Sequence, residues 1–186
     1  MSSRDPLSHA WWLAGRSAGV VAFLLLTASV VAGLALALRV VPPRGRPALR
    51  GGHERIALAA LAAVGAHGLL LLGDPWLKLG LGGLLVPFTA SYRPLWTGLG
   101  VCAGYVAAAL ALSYYARRRI GARRWRNAHR LIPVAWLLAV AHVLGSGTDA
   151  SQSWLRVPLL IAIGAIAAML TVRVAGRRRT PRPSAI

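Results

Sequence analysis

The chain has 186 residues, 56% of them hydrophobic, and a mean hydropathy of +0.58. Apolar runs of about twenty residues recur along it, the length that crosses ~30 Å of hydrocarbon, and no soluble domain fits between or after them. Its net charge of +18 falls in three clusters rather than on one face, which argues against a nucleic-acid partner and for an all-α integral membrane protein.

Residues 1–16 read as an external or interfacial segment, in which "HAWWLAGR" places tryptophans suited to a membrane-interface belt. The first spanning segment is Ser17–Leu38. A cleaved signal peptide ending near Ala35-Leu36-Ala37 is its rival, but the apolar run is long for one and lacks a strong basic leader, so a retained helix is expected. "PPRGRP" at 42–47 forms a loop, because proline can neither donate to nor pack inside a helix interior. Segment two is Ile56–Leu72. The Gly- and Pro-rich stretch Gly73–Pro94 is a long connection, apolar enough to lie in the interface or dip into the protein. Segment three, Leu95–Tyr115, leads into the basic loop "RRRIGARRWRNAHR". Segment four, Leu131–Gly145, is short and contains Pro133, and segment five is Leu155–Val174. Residues 17–174 thus form the membrane domain, and 175–186 a basic tail expected to be disordered.

The basic clusters follow segments one, three and five: Arg39 to Arg55, Arg117 to Arg130, and Arg173 to Arg182. The alternate loops carry only Lys78, Arg93 and Arg156. Positively charged loops stay cytoplasmic. The expectation is a bundle of five transmembrane helices with the N-terminus outside and the C-terminus cytoplasmic.

Of the five histidines, His9 lies in the N-terminal stretch and reads as a solvated or interfacial residue. The other four form two pairs. His53 and His67 bracket segment two, and His129 and His142 stand around segment four. Fourteen residues rise about 21 Å and thirteen about 20 Å, so each pair spans most of the hydrocarbon. At ~100° per residue, fourteen steps nearly restore the same face, whereas thirteen miss by about 140°. Pro133 cannot donate to the carbonyl of residue 129, and a kink or loosened turn there would bring His129 into line. Segments two and four run the same way, which sets His53 level with His129 and His67 with His142. Opposed imidazoles on facing helices can hold one haem iron axially, so the two pairs offer two haem sites. The bland alternative is that each histidine only bridges helices by hydrogen bonding. Ionisable groups at membrane depth nonetheless read as functional.

Other chemistry fits poorly. "HERIA" begins like a zinc motif, but position 57 is alanine. Cys102 is the only cysteine, which leaves no disulfide or CxxCH haem attachment. The four carboxylates, Asp5, Glu54, Asp74 and Asp149, lie at segment ends or in loops, so no acid-lined ion path or hydrolytic pair forms. Ala59, Ala60, Ala63, Gly65 and Ala66 on segment two suit either close helix approach or room for a porphyrin. Arg126 and Arg130 near His129, and Arg16 and Arg93 on the other side, could meet haem propionates, or simply set topology and bind lipid headgroups. Glu54 reads as an acceptor orienting His53 or as a solvated helix-start carboxylate.

Two histidines thirteen to fourteen apart on each of two helices resemble the ferric reductase-like transmembrane domain. That superfamily includes ferric reductases, NADPH oxidases and the haem-binding membrane subunit of the bacterial periplasmic methionine sulfoxide reductase system. "WLAGRSAGVVAFLLLTASVVAGL", "PFTASYRPLWTGLG" and "RRWRNAHRLIPVAWLLAVAHVLGSGTDA" are similar to its bacterial single-domain members, and the likeness covers about residues 11–172. The resemblance implies haem b held by His53 with His129 on the inner side and by His67 with His142 on the outer. It implies electrons entering from the cytoplasm and leaving outside, in a multi-pass protein of a bacterial plasma membrane. Ferric reductases and NADPH oxidases continue into a flavin- and nicotinamide-binding domain, whereas this sequence ends at Ile186. The expectation is therefore the membrane electron-transfer subunit of an oxidoreductase, with a separate donor (a cytoplasmic flavoprotein or quinol) and an external acceptor. A quinol-linked cytochrome b subunit and a non-redox membrane scaffold are the alternatives.

Overall fold

The computed structural model describes residues 9–178. Residues 1–8 and 179–186, with Asp5 and most of the expected basic tail, lie outside the described part. Helix α1 is Ala10–Leu38. It therefore begins seven residues before the expected segment, and Trp11, Trp12 and Arg16 belong to the helix rather than to a preceding strand of chain. Arg39 caps α1 in a left-handed conformation (φ 58°), its N–H reaching the carbonyls of Ala35 and Leu36. A short 3-10 turn, Pro43–Gly45, follows, and α2, Arg46–Leu72, starts with Pro47 in its first turn, where proline's missing N–H costs nothing.

The connection after α2 holds a single short helix, α3, Gly80–Leu85. It is pinned by side chains: Ser91 Oγ donates to the Leu77 carbonyl (2.9 Å), Thr89 Oγ1 to that of Val86 (2.9 Å), and the Tyr105 hydroxyl to that of Leu85. Helix α4 is Pro94–Leu112. The basic loop is itself helical, forming α5 (Arg117–Ile120) and α6 (Ala122–His129). Helix α7, Ile132–Ser146, follows, and α8, Ser153–Arg178, carries Pro158 inside it. Five spans are long and apolar enough to cross a membrane: Ala10–Leu38, Pro43–Leu72, Pro94–Leu112, Ala122–Ser146 and Ser153–Gly176. No strand occurs among the described residues.

The fourth span consists of α6 and α7 with a break between them. Arg130 and Leu131 adopt a turn, and Arg130, Leu131 and Val134 donate three residues back, to Asn127, Ala128 and Leu131. A tightened turn of this kind is what Pro133 permits, since it has no N–H for the regular ladder. The straight helix that would have carried His129 away from His142 is absent.

Helices α1 and α2 pack as one antiparallel pair, and α4 and α7 as another. Contacts of α1 with α7 and α8 join them, while α2 meets α4 only lightly and hardly touches α7. The core lies where α1, α7 and α8 meet, around Phe23, Val30, Leu34, Trp136, Val140, Leu159 and Ile166. Phe23 stacks on Trp136 with centroids 6.4 Å apart. The indole N–H of Trp136 donates to Thr27 Oγ1 (2.9 Å), which itself donates to the Phe23 carbonyl (2.8 Å). Each buried polar hydrogen in this group therefore has an acceptor, as a low-dielectric setting demands. Leu24, Leu69, Leu137, Leu160 and Ile161 point outward and are exposed, the arrangement of a bundle whose solvent is lipid.

Candidate functional site

Two histidine pairs face each other between α2 and the α6–α7 span. The His53 and His129 ring centroids are 6.3 Å apart, with planes at 83°. His67 and His142 are also 6.3 Å apart, at 73°. Low number meets low and high meets high, so α2 and the α6–α7 span run parallel. The structure thus brings together the two pairs expected from spacing, one near the end that carries the basic clusters and one near the far end.

The separation is informative. Two imidazoles joined by a direct N–H···N bond would stand closer, because that bond is about 3 Å long. Two nitrogens bound to one metal at about 2.0–2.1 Å each, in line, with a ring radius of about 1.1 Å at either end, place the centroids about 6.3 Å apart. Two such bonds set no angle between the ring planes, so neither interplanar angle conflicts with a shared metal.

Each ring is also aimed from behind. His67 Nδ1 donates to the Gly15 carbonyl at 2.7 Å, and His142 Nδ1 to the Trp96 carbonyl at 2.9 Å. His129 Nδ1 faces the Leu110 carbonyl at 3.4 Å, a longer and weaker contact, and His53 Nδ1 lies 3.2 Å from Ser29 Oγ. A carbonyl can only accept, so in three of the four the proton sits on Nδ1 and the Nε2 lone pair is the one available. An outward Nδ1–H···O=C bond of this kind orients and strengthens metal-bound histidines. Ser29, only 6% exposed on α1, and not Glu54, is the side chain bonded to His53 Nδ1. Glu54 instead accepts from the Tyr115 hydroxyl (2.8 Å) and holds that phenol above its usual range.

Glycines on the outer helices make room for the rings. A Cβ on Gly19 would stand 2.8 Å from His67 Nδ1, one on Gly33 3.2 Å from His53 Cε1, and one on Gly100 2.5 Å from His142 Nδ1. Gly19 and Gly33 repeat the fourteen-residue spacing of the histidines in antiparallel order. The small residues of α2 contribute less: Ala60 is buried, but Ala59, Gly65 and Ala66 are exposed.

The four arginines considered for propionates are placed differently from one another. Arg16 forms a two-pronged ion pair with Asp149 and lies over the Trp12 ring. Arg93 donates to the Gly145 carbonyl at the end of α7 and lies over Tyr92. Arg126 and Arg130 are exposed near His129. Arg173 of α8, not singled out from the sequence, lies within electrostatic range of His129. Asp149 and Asp74 are buried, at 7% and 3% exposure, because their loops fold back over the helix ends. Both lie in connections between helices, as expected from the sequence, but are buried there.

Among the described residues, no three His, Cys, Asp or Glu side chains converge on a metal position. Each pair offers two axial nitrogens and nothing more. A metal held there must bring its remaining ligands with it, as the iron of a porphyrin does. The pair separation, the Nδ1 bonds and the glycine faces all suit haem. No protein-family model matches the chain, and no curated protein or solved structure shows a significant match. The case therefore stands on this geometry.

Proposed function

We propose that the protein is a membrane cytochrome b that carries electrons across the bilayer, with His53 and His129 holding one haem and His67 and His142 a second. The observation that carries this reading is the equal 6.3 Å separation of the two ring pairs, a gap matched to one metal atom. The same separation recurs at both depths where the histidines face each other, and it is also within the range of an ordinary edge-to-face ring pair, so the haem content decides between the two. Bound haem would supply one-electron redox chemistry. The chain's own residues do the rest: α1 and α4 aim the imidazoles, Gly19, Gly33 and Gly100 let them seat, and the apolar bundle excludes water.

In this reading the His53–His129 end, which carries the basic clusters, is cytoplasmic and the N-terminus outside, as the positive-inside rule favours, in a bacterial plasma membrane. A flavoprotein or quinol on the inner side would be the electron donor, and an acceptor outside would complete the path, as in the ferric reductase-like domain that the histidine spacing resembles. Arg126, Arg130 and Arg173 would serve as counter-charges for the inner haem's carboxylates. Arg16 and Arg93 act mainly through their protein partners.

The test is an oxidised and dithionite-reduced spectrum of the detergent-purified protein, with a pyridine haemochrome assay. Two b-type haems per chain are expected, falling to one in His67→Ala or His142→Ala. A colourless protein after expression with ample haem would overturn the reading, and full retention of both haems in either variant would overturn the pairing.

A further inference from the structure

Among the described residues, three buried polar side-chain atoms have no partner: Asp74 Oδ2, Trp125 Nε1 and Ser146 Oγ. Leaving a buried donor unpaired is costly, so each asks for an occupant. Asp74 is the odd one out. Its Oδ1 already accepts from the N–H groups of Trp76 (2.7 Å) and Leu77 (3.1 Å), and its orphan atom is an acceptor. The other two are donors, and they are placed in matching fashion. Trp125 precedes His129 by four residues on α6, its indole stacked on the imidazole with centroids 5.1 Å apart. Ser146 follows His142 by four residues as the last residue of α7. Four residues are about one turn, so each donor shares its histidine's face some 6 Å along the axis. Trp125 lies toward the basic end and Ser146 toward the far end, each on the side of its histidine nearer the helix terminus.

We infer that Trp125 Nε1–H and Ser146 Oγ–H are hydrogen-bond donors to the carboxylates of the two haems, one for each haem. This rests on the haem reading above. Haem b carries its two carboxylates on one edge. A carboxylate accepts only and is driven from the hydrocarbon centre, so that edge would face the nearer membrane surface, toward which the orphan donors lie. These neutral donors would act beside the exposed Arg126 and Arg130 at the inner end. Arg16 is committed to Asp149 and Arg93 to Gly145, whereas these two hydrogens have no other acceptor. Trp125→Phe leaves an aromatic ring beside His129 but removes the N–H together with the pyrrole part of the indole, a packing change that the ester control below separates, and Ser146→Ala removes only the hydroxyl.

The experiment compares the haem-loaded wild type with Trp125→Phe and Ser146→Ala. It reads haem transfer to excess apomyoglobin and the propionate bending modes in resonance Raman spectra. The same transfer is then repeated on protein loaded with iron protoporphyrin dimethyl ester, which has no carboxylate. Each variant is expected to release one haem about tenfold to a hundredfold faster, as loss of a bond to a charged acceptor implies, with a shifted propionate mode for that haem. The variants and wild type should release the ester at equal rates. Unchanged release and spectra in both variants would overturn the inference while leaving the haem reading intact. An equal acceleration with the ester would also overturn it, since the side chains would then act by packing. A wild type that takes up no haem would overturn both.

Discussion

Gly100 is the most sharply placed residue of the site, and substituting it tests how the rings are seated. An alanine Cβ there would lie 2.5, 2.7 and 2.8 Å from Nδ1, Cγ and Cε1 of His142, where ordinary contact begins at 3.4 Å. The ring must therefore retreat by about 0.9 Å, or α4 must move away from α7. A metal–nitrogen bond of about 2.0–2.1 Å cannot absorb such a shift, and the bond from Nδ1 to the Trp96 carbonyl would be disturbed with it. The corresponding shortfalls are about 0.6 Å for Gly19→Ala against His67 and about 0.2 Å for Gly33→Ala against His53. Gly52→Ala meets nothing within 4 Å. Helix propensity acts the other way, since alanine gains about 0.8–1 kcal/mol over glycine in a helix interior, while overpacking costs about 1–3 kcal/mol. Gly52→Ala should thus be neutral or stabilising. Gly19→Ala and Gly100→Ala should drop haem content from two toward one, and Gly33→Ala should keep both. The pyridine haemochrome assay on purified protein, with a thermal melt beside it, reads both quantities. If Gly100→Ala kept two haems with an unaltered spectrum, the argument from close approach would be wrong. If Gly52→Ala lost as much haem as Gly100→Ala, the loss would reflect general misfolding rather than this contact.

Three further outcomes are expected. Ring planes at 83° and 73° call for strongly anisotropic low-spin ferric signals in electron paramagnetic resonance; a rhombic signal typical of parallel imidazoles would mean that the rings turn on loading. Ser29→Ala removes the hydroxyl bonded to His53 Nδ1 (3.2 Å), which would change how strongly that imidazole donates to a bound metal. One component of a redox titration should shift and the other stay, and two unmoved components would contradict this. Asp149→Asn leaves Arg16 without its counter-charge. Because the arginine side chain is a third exposed, the cost should be about 1–2 kcal/mol rather than the roughly 3–5 of a fully buried pair, visible as a Tm lower by a few degrees with haem content unchanged.

Helix number, the parallel course of α2 and the α6–α7 span, and the meeting of the four histidines were legible from local features: apolar run length, the fourteen- and thirteen-residue spacings, and Pro133 beside His129. The features missed are those that depend on a second helix. Nothing local to Gly19, Gly33 or Gly100 says that an imidazole will press on it, although the separation of Gly19 from Gly33 repeats that of His53 from His67 and could have been noticed. Ser29 lies 24 residues from His53, and its role follows only once α1 and α2 are known to pack antiparallel. The Arg16–Asp149 pair joins residues 133 apart, so a carboxylate that looks like a loop residue in the sequence is a buried tie between the start of α1 and the α7–α8 connection. Trp125 belongs to a segment whose arginines suggest a solvated loop. Its burial follows from α6 lying beside Tyr114, with the two rings 5.6 Å apart.

The division of the bundle also bears on how it assembles. α1 packs on α2 and α4 on α7, whereas α2 and α7 barely meet, although α2 and the α6–α7 span carry the pairs. His53 and His67 are separated by fourteen residues, about 21 Å along α2, so two occupants would cross-link the two halves near both ends of the seam. A ligand that binds only the assembled form stabilises it by about 2.7 kcal/mol for each site at a hundred times its Kd. Protein made in haem-starved cells should therefore keep α1–α2 and α4–α7 as protected units, yet exchange amide hydrogens faster along the facing sides of α2 and α7, and melt earlier. Reloading should restore both properties. Equal protection of the seam with and without haem would show that the contacts of α1 with α7 and α8 hold the halves together unaided, and that the histidine pairs are seated before anything binds between them.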